Sequence, residues 1–306
     1  MNLELHHVSL LCDNFEETLL FYRDTLHLQV VTRVYQEGLV EMALLSDRSP
    51  IPTFLLALHG QPLSGWPQDD FKRGGAQLNA MSFVTNNLDE WIESFANSSW
   101  IVEDSASSFL SARVLSLRDP SGVNVDLMSF SDPGLIPRAT SLSRSAGGQG
   151  DIGLEYQLSS ISLNCRNTSE VANEAQFYTE ELSLTMIRDN PDLVMLSDNR
   201  GNPNVGLDLF VAEPRIWEAD GFPITQRRPG LHYLCFMVKD LAAAHRELTQ
   251  KGVECTLEPT VTEHYDGASY RDPSGVDIIV SSTLWPVWGD GFIDQREAPY
   301  QLSSTG

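Results

Sequence analysis

Cysteine is scarce in this chain and never closely paired: Cys12, Cys165, Cys235 and Cys255 are the four present, with no CxxC among them. That spacing gives no support to a zinc ribbon or a disulfide framework. Cys12, Cys165 and Cys235 stand in apolar, strand-like stretches and read as buried reduced thiols. Long apolar runs are also missing. None approaches the ~20 residues that a membrane-crossing helix needs, and the opening MNLELHHVSL has neither the basic start nor the long apolar core of a secretory leader. A cytoplasmic protein is the expectation. Positive charge is short as well, 20 Lys and Arg against 42 Asp and Glu, for a net charge of -22. Such a surface repels phosphate backbones and anionic lipid, which argues against nucleic-acid and membrane partners. Its simplest meaning is a well-solvated exterior. The chain contains no GxxxxGKS/T loop, no GxSxG elbow and no HExxH helix, so phosphate-loop, serine-nucleophile and zinc-protease chemistry lack their usual signatures.

What the chain does contain is a repeat. RDPSGVNVDLM from Arg118 returns as RDPSGVDIIV from Arg271, an offset of 271 − 118 = 153. The same offset carries HVSLLC from His7 onto SISLNC from Ser160, and NNLDEW around Leu88 onto KDLAAA around Leu241. Three segments in one register indicate a duplication. The halves are residues 1–130 and 154–283, joined by a Ser-, Gly- and Pro-rich linker at 131–153 and followed by a tail at 284–306.

Each half divides again into two units that open with an alternating strand and pass into an amphipathic helix. Asn14 with Glu17 three residues on has capping-box spacing, and Phe15, Leu19, Tyr22 and Leu26 then form one apolar face. The other helical faces are Leu88, Trp91, Ile92 and Phe95; Val171, Ala175, Tyr178 and Leu182; and Leu241, Ala244, His245 and Leu248. Short β-prone runs such as LHLQVVTRV, LVEMALL and TFLLALH follow the first helix. One helix against several strands per unit predicts an α+β fold, since a doubly wound sheet needs a helix between successive strands.

HVSLLCDNFEETLLFYRDTLHLQVV resembles the opening βα unit of the vicinal oxygen chelate superfamily, which includes glyoxalases, extradiol dioxygenases and bleomycin-resistance proteins. FYRDTL, FYTEEL and the two DPSG turns are similar to the end of that family's first helix and to its closing hairpin. The resemblance implies four tandem βαβββ modules whose pairs curl eight strands into two cups. Each cup would hold a small-molecule ligand or substrate. Metal-dependent members add divalent iron, manganese, nickel or zinc, bound by residues on the first and last strands of paired modules.

Carried over to this chain, the resemblance places His7 and Asp126 at two ligand positions of the first half, with Ala80 and Ala57 at the others. His59 would share a strand face with Ala57, so His7, His59 and Asp126 form a displaced candidate set for a metal. The competing expectation is a hydrogen-bonded His7, a strand-end His59, and an Asp126 that accepts from a neighbouring strand or pairs with Arg113 or Arg118. In the second half the positions read Ser160, Asp208, Tyr233 and Ile279. Pairing of the first module with the fourth would instead unite His7, Tyr233 and Ile279. His232 points to the wrong face unless a bulge intervenes. His264, Tyr265 and Tyr270, ahead of the last turn, match the proton-handling histidine and tyrosine of extradiol dioxygenases. Trp66, Trp217, Trp285 and Trp288 are candidate pocket-lining aromatics.

The expected protein, a monomer or homodimer, binds or transforms a small apolar or aromatic oxygen-containing compound without a standard metal centre. His264 and Tyr270 are its candidate catalytic residues, and Tyr233, Tyr265, His232 and Asp208 its candidate ligand-binding residues. The alternative is a divalent-metal dioxygenase, lyase or isomerase built on His7 and Asp126. A scaffold for protein contacts is the third possibility.

Overall fold

In the computed structural model, every one of the four units begins as its sequence pattern requires. The described residues are 3–12, 14–36, 40–46, 55–60, 77–95, 101–107, 112–130, 156–190, 193–197, 206–211, 230–261 and 266–282. The first module runs β1 (Glu4–Leu11), α1 (Phe15–Leu20), β2 (Gln29–Gln36), β3 (Val40–Ser46) and β4 (Leu55–His59). The second is β5 (Gln77–Thr85), α2 (Leu88–Phe95), β6 (Ile101–Ser107), β7 (Ala112–Arg118) and β8 (Asn124–Phe130). The third is β9 (Tyr156–Cys165), α3 (Thr168–Gln176), β10 (Thr185–Asn190), β11 (Leu193–Ser197) and β12 (Gly206–Val211). The fourth is β13 (Gly230–Met237), α4 (Leu241–Gln250), β14 (Glu254–Val261), β15 (Asp266–Arg271) and β16 (Asp277–Ser281). The linker and tail expected at 131–153 and 284–306 lie outside the described residues.

The capping box forms as its spacing predicts: Asn14 Oδ1 accepts from Glu17 N at 3.2 Å, and Asn14 Nδ2 donates to Glu17 Oε2 at 3.3 Å. Asn167 and Asp240 cap α3 and α4 through Glu170 N at 2.9 Å and Ala243 N at 2.8 Å. Both α1 and α3 then widen into one π-helical turn, Phe21–Thr25 and Phe177–Glu181. Each ends on a residue of positive φ, His27 at 56° and Ser183 at 60°. The apolar helical faces are buried as patterned, except that Ile92 and His245 are half-buried.

The strands form two eight-stranded sheets. One runs β14-β15-β16-β13-β1-β4-β3-β2, the other β10-β11-β12-β9-β5-β8-β7-β6. The first therefore joins modules one and four, the second modules two and three, and β1 with β13 and β5 with β9 are the antiparallel seams. The boundary between the sequence repeats is thus not a boundary between sheets. Contacts within each half are made instead by helix and turn: Tyr22 Oη donates to Asp119 Oδ2 at 2.8 Å, and Tyr178 Oη to Asp272 Oδ2 at 2.9 Å. Those aspartates open the two DPSG turns. Asp119 Oδ1 accepts from Val123 N, and Asp272 Oδ1 from Val276 N, both at 2.7 Å. Gly122 and Gly275 take φ of 83° and 90°, a region costly for a side chain.

One continuous core lies between the helices and the sheets, with Trp91, Tyr22, Tyr178 and Phe236 among its fully buried side chains. No helix among the described residues is long and apolar enough to cross a membrane.

Candidate functional site

Strand alternation sorts the residues of the central strands into two sets. In the sheet of modules one and four, Val8, Leu10, Leu56, Leu58, Leu234, Phe236, Ile278 and Val280 face the helices and the main core. Their neighbours in sequence turn to the opposite face, the inside of the cup, where Leu44 and Ala57 form a separate small cluster. His7, Ser9, His59 and Tyr233 belong to that inner face, and all four are buried.

Register places them around one tyrosine. Ser9 of β1 lies between Ala57 of β4 and Tyr233 of β13, while Leu11, two residues on, is beside His59. Tyr233 crosses this row, its Oη 3.2 Å from His59 Nε2. Its ring centroid is 5.8 Å from that of His7 and 5.9 Å from that of His59. His6 Nδ1 meets His7 Nδ1 at 2.8 Å. Burial, reinforced by His6 and His59, holds His7 well below the usual imidazole range. Burial with a smaller effect of His232 pushes His59 down to about 3. Both rings are neutral at physiological pH, able to accept a hydrogen bond through one nitrogen and donate through the other.

The bulge that His232 required is present. Ser9 pairs with Tyr233 but Leu10 with Leu231, which leaves His232 as the extra residue. Its ring lies 5.9 Å from that of Tyr233 and its charge would be felt at His59. On β16, Asp277 stands beside Tyr233 in register and is bridged to Arg271 Nε at 3.3 Å. Asp277 stands two residues before Ile279, the position to which the resemblance points, and shares its strand face.

Asp126 does not join His7. It lies on β8 in the other sheet, next to Ser82 and Ser116, and accepts from Ser116 Oγ at 2.6 Å. The candidate set of His7, His59 and Asp126 is therefore divided between two sheets. The cause is the cross-half pairing, which carries β8 away from β1. Asp126 thus accepts from a neighbouring strand, and Arg113 pairs with Asp89. Asp208 on β12 shares the sheet of Asp126, next to Ser162. That second inner face carries Ser82, Ser160, Ser162 and Asn164, all buried. The side-chain atoms of Ser160 and Asn164 make no hydrogen bond there.

Tyr270 is also displaced from its expected role. It is fully buried on the helix side of β15, in the main core, and its Oη meets His245 Nδ1 of α4 at 2.9 Å. The inner face lies on the opposite side of the strand. His264, Tyr265, Trp66, Trp217, Trp285 and Trp288 lie outside the described residues.

The model of the Glyoxalase/Bleomycin resistance protein/Dioxygenase superfamily matches residues 161–280. Over that segment the chain is similar to this superfamily. Its fold is shared with glyoxalase I from Zea mays, at a TM-score of 0.65 and 15% identity, with 92% of each chain covered. A putative dioxygenase from Bacillus subtilis subsp. subtilis str. 168 superposes at a TM-score of 0.63 and 12% identity, covering 92% of this chain and 85% of that one. No curated protein matches the chain in sequence.

Among the described residues, the histidine-bearing cup does not assemble the family's ligand set. The described donors on its inner face include the His7 and His59 imidazoles and the Tyr233 phenol, His59 Nε2 is engaged by Tyr233, and the last-strand position is Ile279. The nearest carboxylate in register, Asp277, is tied to Arg271.

Proposed function

We propose that this chain binds a small apolar or aromatic molecule bearing a hydroxyl or enol oxygen, in the cup of modules one and four, without a standard metal centre. The observation that carries this reading is the Tyr233–His59 hydrogen bond beside a second neutral histidine. In the His59 tautomer with Nε2 unprotonated, Tyr233 donates to that nitrogen and keeps lone pairs to accept from a ligand hydroxyl. Relay of that proton onward to His59 is opposed, because a group held down to about 3 is a poor base at neutral pH. Binding is therefore better supported than turnover.

The test is a titration of the full chain with 1-naphthol, followed by ligand fluorescence. Wild type binds, and Tyr233→Phe weakens binding about tenfold, the ~1.4 kcal/mol of one buried hydrogen bond. Equal affinity in the two proteins would overturn the assignment. The metal-dependent reading gains support from the neutral, coordination-competent state of His7 and His59. Near-stoichiometric iron, manganese, nickel or zinc in purified protein, lost in both His7→Ala and His59→Ala, would replace the present proposal with that one.

A further inference from the structure

A second constellation lies on the helix side of the same sheet, away from the cup. His245 on α4 and Cys255 and Glu258 on β14 bring one ligand atom each to within 4.8 Å of one another. Among the described residues, no other three His, Cys, Asp or Glu side chains do so. We propose that these three residues form a binding site for a divalent, thiolate-accepting transition ion of the zinc class.

The geometry fits such an ion. His245 Nε2 and Glu258 Oε2 are 3.2 Å apart, close to the ~3.3 Å separating nitrogen and oxygen ligands around a tetrahedral zinc. The other nitrogen, Nδ1, is held by Tyr270 Oη at 2.9 Å. This arrangement fixes the ring and, when Nδ1 carries the proton, leaves the Nε2 lone pair toward Glu258, as second partners of metal-bound histidines do. Tyr270 is thus a positioning residue rather than a ligand.

The strand is shaped for the purpose. Cys255 and Glu258 are three residues apart, an odd spacing that places side chains on opposite faces of a regular strand. Pairing of β14 with β15 slips twice, between Cys255 and Leu257 and again between Leu257 and Thr260. Those irregularities bring both side chains to His245, a re-aiming that bulges perform. Cys255 packs against the main core, whereas Glu258 is 80% exposed, which gives an ion an entry path.

Binding requires the thiol to lose its proton to solvent as the metal–sulfur bond forms, and Sγ to leave the carbonyl of Leu257, 3.4 Å away. One thiolate, one carboxylate and one neutral imidazole then balance the charge of a divalent cation. A sulfur ligand favours zinc or cobalt over magnesium or calcium. Three protein ligands leave a fourth position for water or an external ligand, and the ion would fasten the edge strand β14 to α4.

The test uses the full chain, reduced and stripped of metal, titrated with cobalt(II). Wild type should develop a near-ultraviolet thiolate-to-cobalt band and the intense visible bands of four-coordinate cobalt, saturating at equimolar metal and erased by zinc. Cys255→Ser should lose the thiolate band, and His245→Ala and Glu258→Gln should lower affinity at least tenfold. Tyr270→Phe should keep the spectrum and weaken binding by about tenfold. Zinc should also protect Cys255 from alkylation, as mapped by mass spectrometry. Absence of the thiolate band in wild type would leave His245 and Glu258 as an ion pair only and overturn the proposal. So would a band that survives Cys255→Ser, or one that disappears in Cys235→Ser or His7→Ala, which would put the ion in the cup. His245, Cys255 and Glu258 lie on the helix side of the sheet and Tyr233 on its inner face, so cobalt binding and 1-naphthol binding are read separately and the two proposals fail independently.

Discussion

Tyr22 and Tyr178 each bond the aspartate of a DPSG turn, Asp119 and Asp272, at nearly equal distances. Beside that contact, the first half sets Thr18 against Ser121 at 2.9 Å, and the second sets the buried Glu174 against Ser274. Two hydroxyls have become a hydroxyl and a carboxyl. Burial raises Asp119 to about 6, against the pull of Val123 N and Tyr22. In the second half, burial raises both Glu174 and Asp272, and Glu174 is raised further by the charge of Asp272. The cups differ in the same spirit: histidines and a tyrosine line one, serines and aspartates the other. Duplication preserved the frame while its polar interior diverged.

The largest expected effect tests the shared contact. Asp119→Ala strands the Tyr22 hydroxyl and the Val123 amide, and should cost about 3 kcal/mol in urea unfolding. Asp272→Ala should cost about 1 kcal/mol less, because it also removes a charge facing Glu174. Equal costs would remove the electrostatic contrast between the halves.

A smaller effect is expected from Glu174→Gln. A carboxyl raised in the folded state contributes its stability fully below its unfolded value, ordinarily 4.5, and loses it as pH rises through the folded value. The wild-type protein should therefore weaken from mildly acid to alkaline pH. The Gln variant should recover about 2 kcal/mol at pH 8 and flatten that limb. His59 has the opposite sign: its contribution is present above 6.5 and fades as pH falls toward about 3, so acid loss should persist in the variant. Denaturation midpoints across pH separate the two limbs.

The smallest change is expected from Asp126→Asn, which should leave 1-naphthol affinity within about twofold, as distant sites behave independently. A larger shift would mean that the two cups are coupled.

Local structure was legible in the residues themselves. The Asn14 cap, the four apolar helical faces and the DPSG turns depend on neighbours a few positions away, where periodicity and turn chemistry operate. Partner choice between modules was not legible, because β1 and β5 carry the same alternation and either could border β13 or β9. That ambiguity is what misplaced Asp126 beside His7. The bulge at His232 and the double slip at Cys255–Thr260 were hidden for a related reason: each exists only relative to a neighbouring strand. Tyr270 faces the core and not the cup because strand parity, rather than its order ahead of the DPSG turn, sets its side. His245 belongs to the apolar face of α4 by periodicity, yet its two ring nitrogens reach Tyr270 and Glu258, partners that helical spacing does not reveal.

The seam between β1 and β13 makes the two ends of the described chain structural neighbours, and β5 with β9 does the same for its middle. Neither eight-stranded sheet is built from the strands of one half alone. A fragment ending before the linker would expose the bonding edges of β1 and β5 together, and the simplest way to satisfy them is a second molecule. The full chain supplies that second set of edges itself, so each sheet is closed across its centre by strands of the same polypeptide.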